Sequence, residues 1–296
     1  TVLSTSDGSE VWQFSVPGDD CTGELDDPCR ILALPTLNSN GVEAWVSTHK
    51  KGLHRVAADP TFPDNIVWSV NDFVGTKSSV TVAASGNLFV GQGGNTPGLR
   101  SITSNGTDRW LFATSSAVDS TPIVQQQTIY TTFGGTVRAL IDGETEPSVA
   151  WSLTLGSDLT QTDAVLAKPD RLIVASEDTL WAIDVLGCVE STQSCVVWTR
   201  PSPLPGPISA GLLALDDGRL LYGADGGLQW LSVDDGTDDF LLPTTGLILG
   251  TPLVNGGQLI VGDSLGTVHA FDFTSLGLAN SGWPVSRRSQ RRNTVE

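Results

Sequence analysis

Basic residues are scarce in this chain of 296 residues: 16 Lys and Arg stand against 33 Asp and Glu, for a formal net charge of −17. Phosphate binding needs clustered Lys and Arg, so the balance argues against nucleic acid and against anionic membrane surfaces as partners. Solubility through self-repulsion is its general meaning, with a specific acidic binding face or a salty habitat as the other readings. Long apolar runs are missing too. Stretches such as Gly246–Gly250 are far too short to cross a bilayer. No signal peptide is recognisable and the first residue is Thr1, so the expectation is a processed or truncated chain with further residues upstream. Glu is rare: only 8 of the 33 acidic residues, the other 25 being Asp. Asp favours turns and Glu favours helices, so the skew predicts a β protein with many turns. At 39% apolar residues the chain can bury a real core, and its length allows one large β domain or two ordinary ones.

Reactive motifs are also lacking. There is no G-x-S-x-G elbow, no H-E-x-x-H and no phosphate loop. Gly91-Gln92-Gly93-Gly94 follows a strand with no helix behind it and reads as a turn. Of three histidines, His49 sits in a loop, and His54 and His269 lie in strands at corresponding parts of two repeats; with no third ligand in view they are assigned to packing or surface roles. Asp234, Asp235, Asp238 and Asp239 put four carboxylates in six residues, a set that could attract Ca²⁺ but lacks calcium-loop spacing and reads as a solvated hairpin tip. Asn105-Gly106-Thr107 is a glycosylation sequon only in a eukaryotic secretory pathway. No catalytic, cofactor-binding or metal-ligating residue is assigned, and no cofactor is expected.

The four cysteines form two local pairs, Cys21 with Cys29 and Cys188 with Cys195, each bracketing a polar loop. Neither has the C-x-x-C spacing of zinc or redox sites. Each pair can close a small ring worth roughly 2–3 kcal/mol by loop-closure entropy, and two such disulfides imply an oxidising compartment; four free thiols are the other reading.

A repeat organises the chain. Trp12, Trp68, Trp110, Trp151, Trp198, Phe240 in place of Trp, and Trp283 follow one another at intervals of 56, 42, 41, 47, 42 and 43 residues. The 56- and 47-residue intervals contain the two Cys loops. Each of these aromatics closes a strand–turn–strand phrase, with turns such as Asp7-Gly8, Asn105-Gly106, Asp142-Gly143 and Asp235-Gly236 whose central positions accept φ > 0. A second hairpin lies between successive phrases, as at Ser85-Gly86-Asn87, Asp217-Gly218 and Gly256-Gly257, and its strands are nearly continuous apolar runs. Four short strands per period, with no helix-period segment, predict an all-β fold: a β-propeller of four-stranded antiparallel blades, seven blades preferred and six or eight possible. The repeated Trp then lies on an outer strand and wedges between blades as core packing.

The phrase Ala-x-Asp, a turn, then Trp resembles the PQQ-like (quinoprotein-type) propeller repeat. Ala182-Ile183-Asp184 and Ala270-Phe271-Asp272 match its opening, and the Trp series matches its close. The resemblance covers almost the whole chain and implies a propeller over residues 1–285, with 286–296 as a basic tail or closing segment. The family holds quinone-dependent dehydrogenases and non-enzymatic propellers. The adjacent-cysteine disulfide of the dehydrogenases has no counterpart here, and none of their Ca²⁺ ligands can be placed, so the chain looks closer to non-enzymatic members such as the outer-membrane assembly scaffold lipoprotein. The expectation is a non-catalytic scaffold, periplasmic, cell-surface or secreted, that binds protein through inter-strand loops. Two alternatives stay open: an enzyme with a sugar- or quinone-linked site in a central channel, and a carbohydrate-binding surface module.

Overall fold

Short apolar runs punctuated by turn residues fold into 25 strands, every pairing antiparallel, with no α-helix among the described residues. The computed structural model describes residues 2–279 except 4–6, 8, 17–20, 22–26, 39–41, 58–64, 157–158, 160–162, 177, 190–194, 207, 209, 249, 256 and 274–276. Trp283 and the basic tail lie outside the described residues. The chain divides between Asp119 and Ser120 into two compact units.

The first unit opens with a hairpin of β1 (Val2–Leu3) and β2 (Glu10–Trp12). A four-stranded sheet follows, β3 (Thr36–Leu37), β4 (Glu43–Ser47), β5 (Leu53–Ala57) and β6 (Ile66–Val70). A second contains β7 (Thr81–Val82), β8 (Leu88–Gln92), β9 (Gly98–Ile102) and β10 (Asp108–Ala113).

The second unit has three more four-stranded sheets. They are β11 (Ile123–Gln125), β12 (Thr128–Phe133), β13 (Thr136–Ile141) and β14 (Ser148–Thr154); β15 (Val165–Lys168), β16 (Arg171–Ala175), β17 (Thr179–Asp184) and β18 (Val196–Pro201); and β19 (Leu213–Ala214), β20 (Arg219–Ala224), β21 (Gly227–Ser232) and β22 (Asp238–Pro243). A last sheet has three described strands, β23 (Leu253–Asn255), β24 (Gln258–Gly262) and β25 (Val268–Asp272).

In each sheet the order in space is the order in sequence. Antiparallel meanders repeated at this period are propeller blades, so the fold is the all-β propeller class that the repeat predicts. Among the described residues six sheets follow the blade pattern, five with four strands and one with three, and six lies within the range the sequence allowed. Gly91 and Gln92 end β8, and of the four residues expected to form a turn only Gly94 lies in it, with Asn95 beside it. Second and third strands of the four-stranded sheets are largely covered on both faces: β8 and β9 are buried throughout, and β20 and β21 nearly so, whereas β24 and β25 of the three-stranded sheet are partly exposed. Cores fill the spaces between successive sheets within each unit. In the first, Trp45, Leu53 and Val70 pack on Leu88, Val90 and Ile102. In the second, Val165, Ile173 and Ala182 pack on Leu212, Tyr222 and Leu231.

The repeated aromatic has a fixed place in the ladder. The transverse rows read Thr36–Trp45–Arg55–Trp68, Thr81–Phe89–Ser101–Trp110, Ile123–Tyr130–Ala139–Trp151, Val165–Ile173–Ala182–Trp198 and Leu213–Leu221–Trp230–Phe240. In every one the register slips by one residue just before the aromatic, leaving Val67, Arg109, Ala150, Val197 or Asp239 as the bulged residue. The β1–β2 hairpin has the same slip, with Val2 opposite Trp12 and Val11 bulged, so it is built like a third–fourth strand pair. A bulge adds local twist and re-aims the residue beside it.

Candidate functional site

Two of these tryptophans lock one sheet to the next. Trp68 donates its indole Nε1–H to the Ser104 carbonyl at 3.0 Å, in the β9–β10 turn. Trp198 does the same to the Val233 carbonyl at 2.9 Å, in the β21–β22 turn. Each ring lies flat against the turn glycine. A Cβ on Gly106 would come within 2.8 Å of Trp68, and one on Gly236 within 2.9 Å of Trp198, while φ there is +86° and +69°. Glycine is thus required twice over, for the left-handed turn and for the approach of the ring. Arg55 and Arg200 reinforce the same turns by donating to the Ser104 carbonyl at 3.0 Å and the Gly236 carbonyl at 2.6 Å. Trp110 and Trp151 are buried beside Phe89 and Tyr130, with ring centroids 5.7 and 6.0 Å apart.

Phe240 holds the Trp position in register but is 45% exposed, and the large aromatic of its row is Trp230, one strand inward and 1% exposed. The two rings meet edge to face at 5.4 Å. Where the other second-unit rows with a closing Trp have Ala139 or Ala182 on the third strand, this one has moved its indole to that strand.

Two carboxylates of the acidic hairpin tip tie it to the neighbouring sheet and a third pairs within its own sheet. Asp234 pairs with Lys168, Asp238 with Arg200, and Asp239 with Arg219 at 2.9 Å. Asp235 accepts from the Thr237 amide at 3.1 Å and hydroxyl at 2.8 Å, holding the turn, and hydrogen bonds, that from Ser232 first, set its carboxyl below the usual range. With three of four carboxylates neutralised by cations, the cluster is poorly disposed to collect Ca²⁺. All four carboxylates are exposed, as the reading of a solvated hairpin tip has them.

The histidines sit apart from such chemistry. His54 is buried on β5 with Nδ1 2.8 Å from the Ser69 hydroxyl, and burial pushes its pKa down to about 4 against a smaller opposing effect of the Lys51 backbone. His269 occupies the matching place on β25, where Nε2 is 2.9 Å from Asp263 Oδ2; that bond, with the Thr267 amide, holds the Asp263 carboxyl below its usual range. Among the described residues, one group of three could surround a metal, namely Cys21, Asp27 and Cys29, and its two sulfurs are bonded to each other. Arg100, which the sequence did not single out, is a buried guanidinium held by Asp108 Oδ1 at 2.7 Å and Asp72 Oδ1 at 3.0 Å.

Both cysteine pairs are at disulfide distance, with Cα separations of 5.4 Å for Cys21–Cys29 and 4.9 Å for Cys188–Cys195. The first is sewn down. Asp27 accepts from the Cys29 amide at 2.8 Å, and the His49 and Lys50 amides donate to the Arg30 and Pro28 carbonyls, both at 2.8 Å. The second lies in the β17–β18 connection. Asp184 Oδ1 accepts from the Leu186 and Gly187 amides, both at 3.0 Å, and starts the loop. Val185, Cys188 and Cys195 face inward, while Leu186 and Val189 are 78% and 66% exposed. The corresponding β9–β10 and β21–β22 connections are short polar turns.

No family model and no curated protein matches the chain. Among solved structures it is similar to the crystal structure of BamB from Moraxella catarrhalis, at 15% identity over 82% of this chain and 85% of that one, with a TM-score of 0.50. It is also similar to the computationally designed Ika8 protein, at 12% identity over 86% of this chain and 78% of that one, with a TM-score of 0.61. At these identities the likeness is one of fold, and it agrees with the all-β blade architecture of both units.

Proposed function

We propose that this chain is a non-catalytic, extracytoplasmic recognition propeller that holds protein partners at its inter-strand loops, like the non-enzymatic members of the PQQ-like family whose repeat it resembles. The observation that carries the reading is the contrast among its strand connections. Tight polar turns join the third and fourth strands of several sheets, whereas a disulfide-closed loop with outward apolar side chains joins β17 to β18. Loops set on a rigid scaffold are where binding residues concentrate. The polar groups that could have served chemistry are tied into structural pairs, as Asp234, Asp238, Asp239, Arg100 and His54 illustrate. Two disulfides support an oxidising compartment: periplasm, cell surface or exterior. No helix among the described residues is long and apolar enough to cross a membrane. The net charge of −17 supports excluding nucleic acid. The propeller is assigned to residues 1–285 and the basic tail to 286–296.

Gel filtration of an extract from the chain's own compartment, read by mass spectrometry, tests the proposal. Co-elution with a stoichiometric protein partner is expected. Elution as a free monomer that binds sugars on a glycan array would replace this reading with the carbohydrate-binding one.

A further inference from the structure

The repeat supplies its own control for the β17–β18 loop. The β9–β10 turn ends in Asn105-Gly106 and the β21–β22 turn in Asp235-Gly236, both capped by short-range hydrogen bonds of Thr103 and Asp235. At the same place between β17 and β18 the chain runs from Asp184 to Cys195, closes a ring over seven residues, and aims Leu186 and Val189 at solvent on either side of the buried Cys188. Leu186 is the most exposed large apolar residue described. Leu265 and Val268 approach it at 68% and 72%, but they belong to the sheet with three described strands.

Exposed aliphatic pairs cost solubility, and a disulfide that fixes them in place lowers the entropy lost when they are buried. Residues 184–195 contain two carboxylates, Asp184 and Glu190, and no Lys, Arg or His, in a chain whose net charge is −17. An apolar pair on a segment without Lys, Arg or His, in a chain of this negative charge, fits a cationic rim. We infer that Leu186 and Val189, pinned by Cys188–Cys195, form a knuckle that seats in an apolar groove of a partner protein, and that the groove is rimmed by basic side chains. The inference rests on the protein-scaffold reading above and names the contact.

The test places the photo-crosslinker p-benzoyl-phenylalanine at position 186, 189 or 105 in the cells that make the protein. Irradiation is expected to give one discrete protein adduct from 186 and 189 and none from 105. The adducted protein is then identified, purified and titrated against the intact chain by calorimetry. Leu186→Ser with Val189→Ser should weaken binding by roughly tenfold or more, as expected for two aliphatic anchors, while leaving the unfolding midpoint unchanged. Cys188→Ser with Cys195→Ser should weaken it as well, through lost preorganisation. Unchanged affinity in the Leu186/Val189 variant overturns the knuckle, as does an adduct from 105 with none from 186 or 189; the scaffold reading survives both. No adduct from any of the three positions counts against both.

Discussion

Gly236→Ala isolates the contact that locks one blade to the next. At φ +69° the new alanine stands in the left-handed region, at a cost of about 1–2 kcal/mol. Its Cβ would also lie 2.9 Å from the Trp198 ring, so the indole must move. Moving it stretches the 2.9 Å bond from Nε1 to the Val233 carbonyl, worth about 1 kcal/mol, and opens packing beside it. The expected total is about 2–4 kcal/mol. Gly218→Ala is the control. It has nearly the same backbone, φ +84°, but nothing within 4 Å of the new methyl, so only the conformational cost of about 1–2 kcal/mol applies. Urea unfolding followed by tryptophan fluorescence and extrapolated linearly gives both values. Adding Trp198→Phe to each should shrink the excess of Gly236→Ala and leave Gly218→Ala alone. Equal costs for the two alanines, within about 0.5 kcal/mol, would refute the ring-on-glycine lock.

Three other outcomes are expected. His54 has a folded pKa near 4 against an ordinary 6.5, so between these values the unfolded chain binds a proton that the folded chain does not. Its contribution is therefore complete above about pH 6.5 and is lost as pH falls toward 4, by about 3 kcal/mol; urea midpoints at pH 7 and 4.5 should converge in His54→Gln, and an unaltered pH dependence would contradict this. Trp230→Ala should cost about 3–5 kcal/mol, and adding Phe240→Trp should recover part of it by returning an indole to the row; the absence of recovery would count against the exchange between strands. Calorimetry with millimolar Ca²⁺ should show no saturable heat, because Asp234, Asp238 and Asp239 already hold cationic side chains; a stoichiometric isotherm would contradict that pairing.

The blade sheets were legible because Trp and the Asp-Gly and Asn-Gly turns recur at a nearly constant period, a local signal that survives without knowledge of contacts. Trp68 and Trp198 each donate an indole hydrogen bond to a turn of the next sheet. The bulge before each aromatic was not legible, since Val67, Arg109, Ala150, Val197 and Asp239 share no chemistry and the slip exists only in hydrogen-bond register. Nor was the role of Trp230, because exchange between neighbouring strands leaves the linear period intact. The ion pairs of the exposed acidic run were not legible, because Lys168 and Arg200 reach it from the neighbouring sheet and Arg219 reaches it from two strands away in its own sheet. For the site, both Cys pairings could be read from their polar brackets. Which loop projects could not, because the exposure of Leu186 depends on Val185 and Cys188 turning inward.

Hydrogen exchange of the chain with and without its cross-linked partner tests the central claim most directly. Amides from Asp184 to Val197 should gain protection in the complex, while the turns at Asn105-Gly106 and Asp235-Gly236 exchange as before. Protection confined to other segments, with 184–197 unchanged, would contradict the claim that this propeller recognises protein through its disulfide-pinned loop.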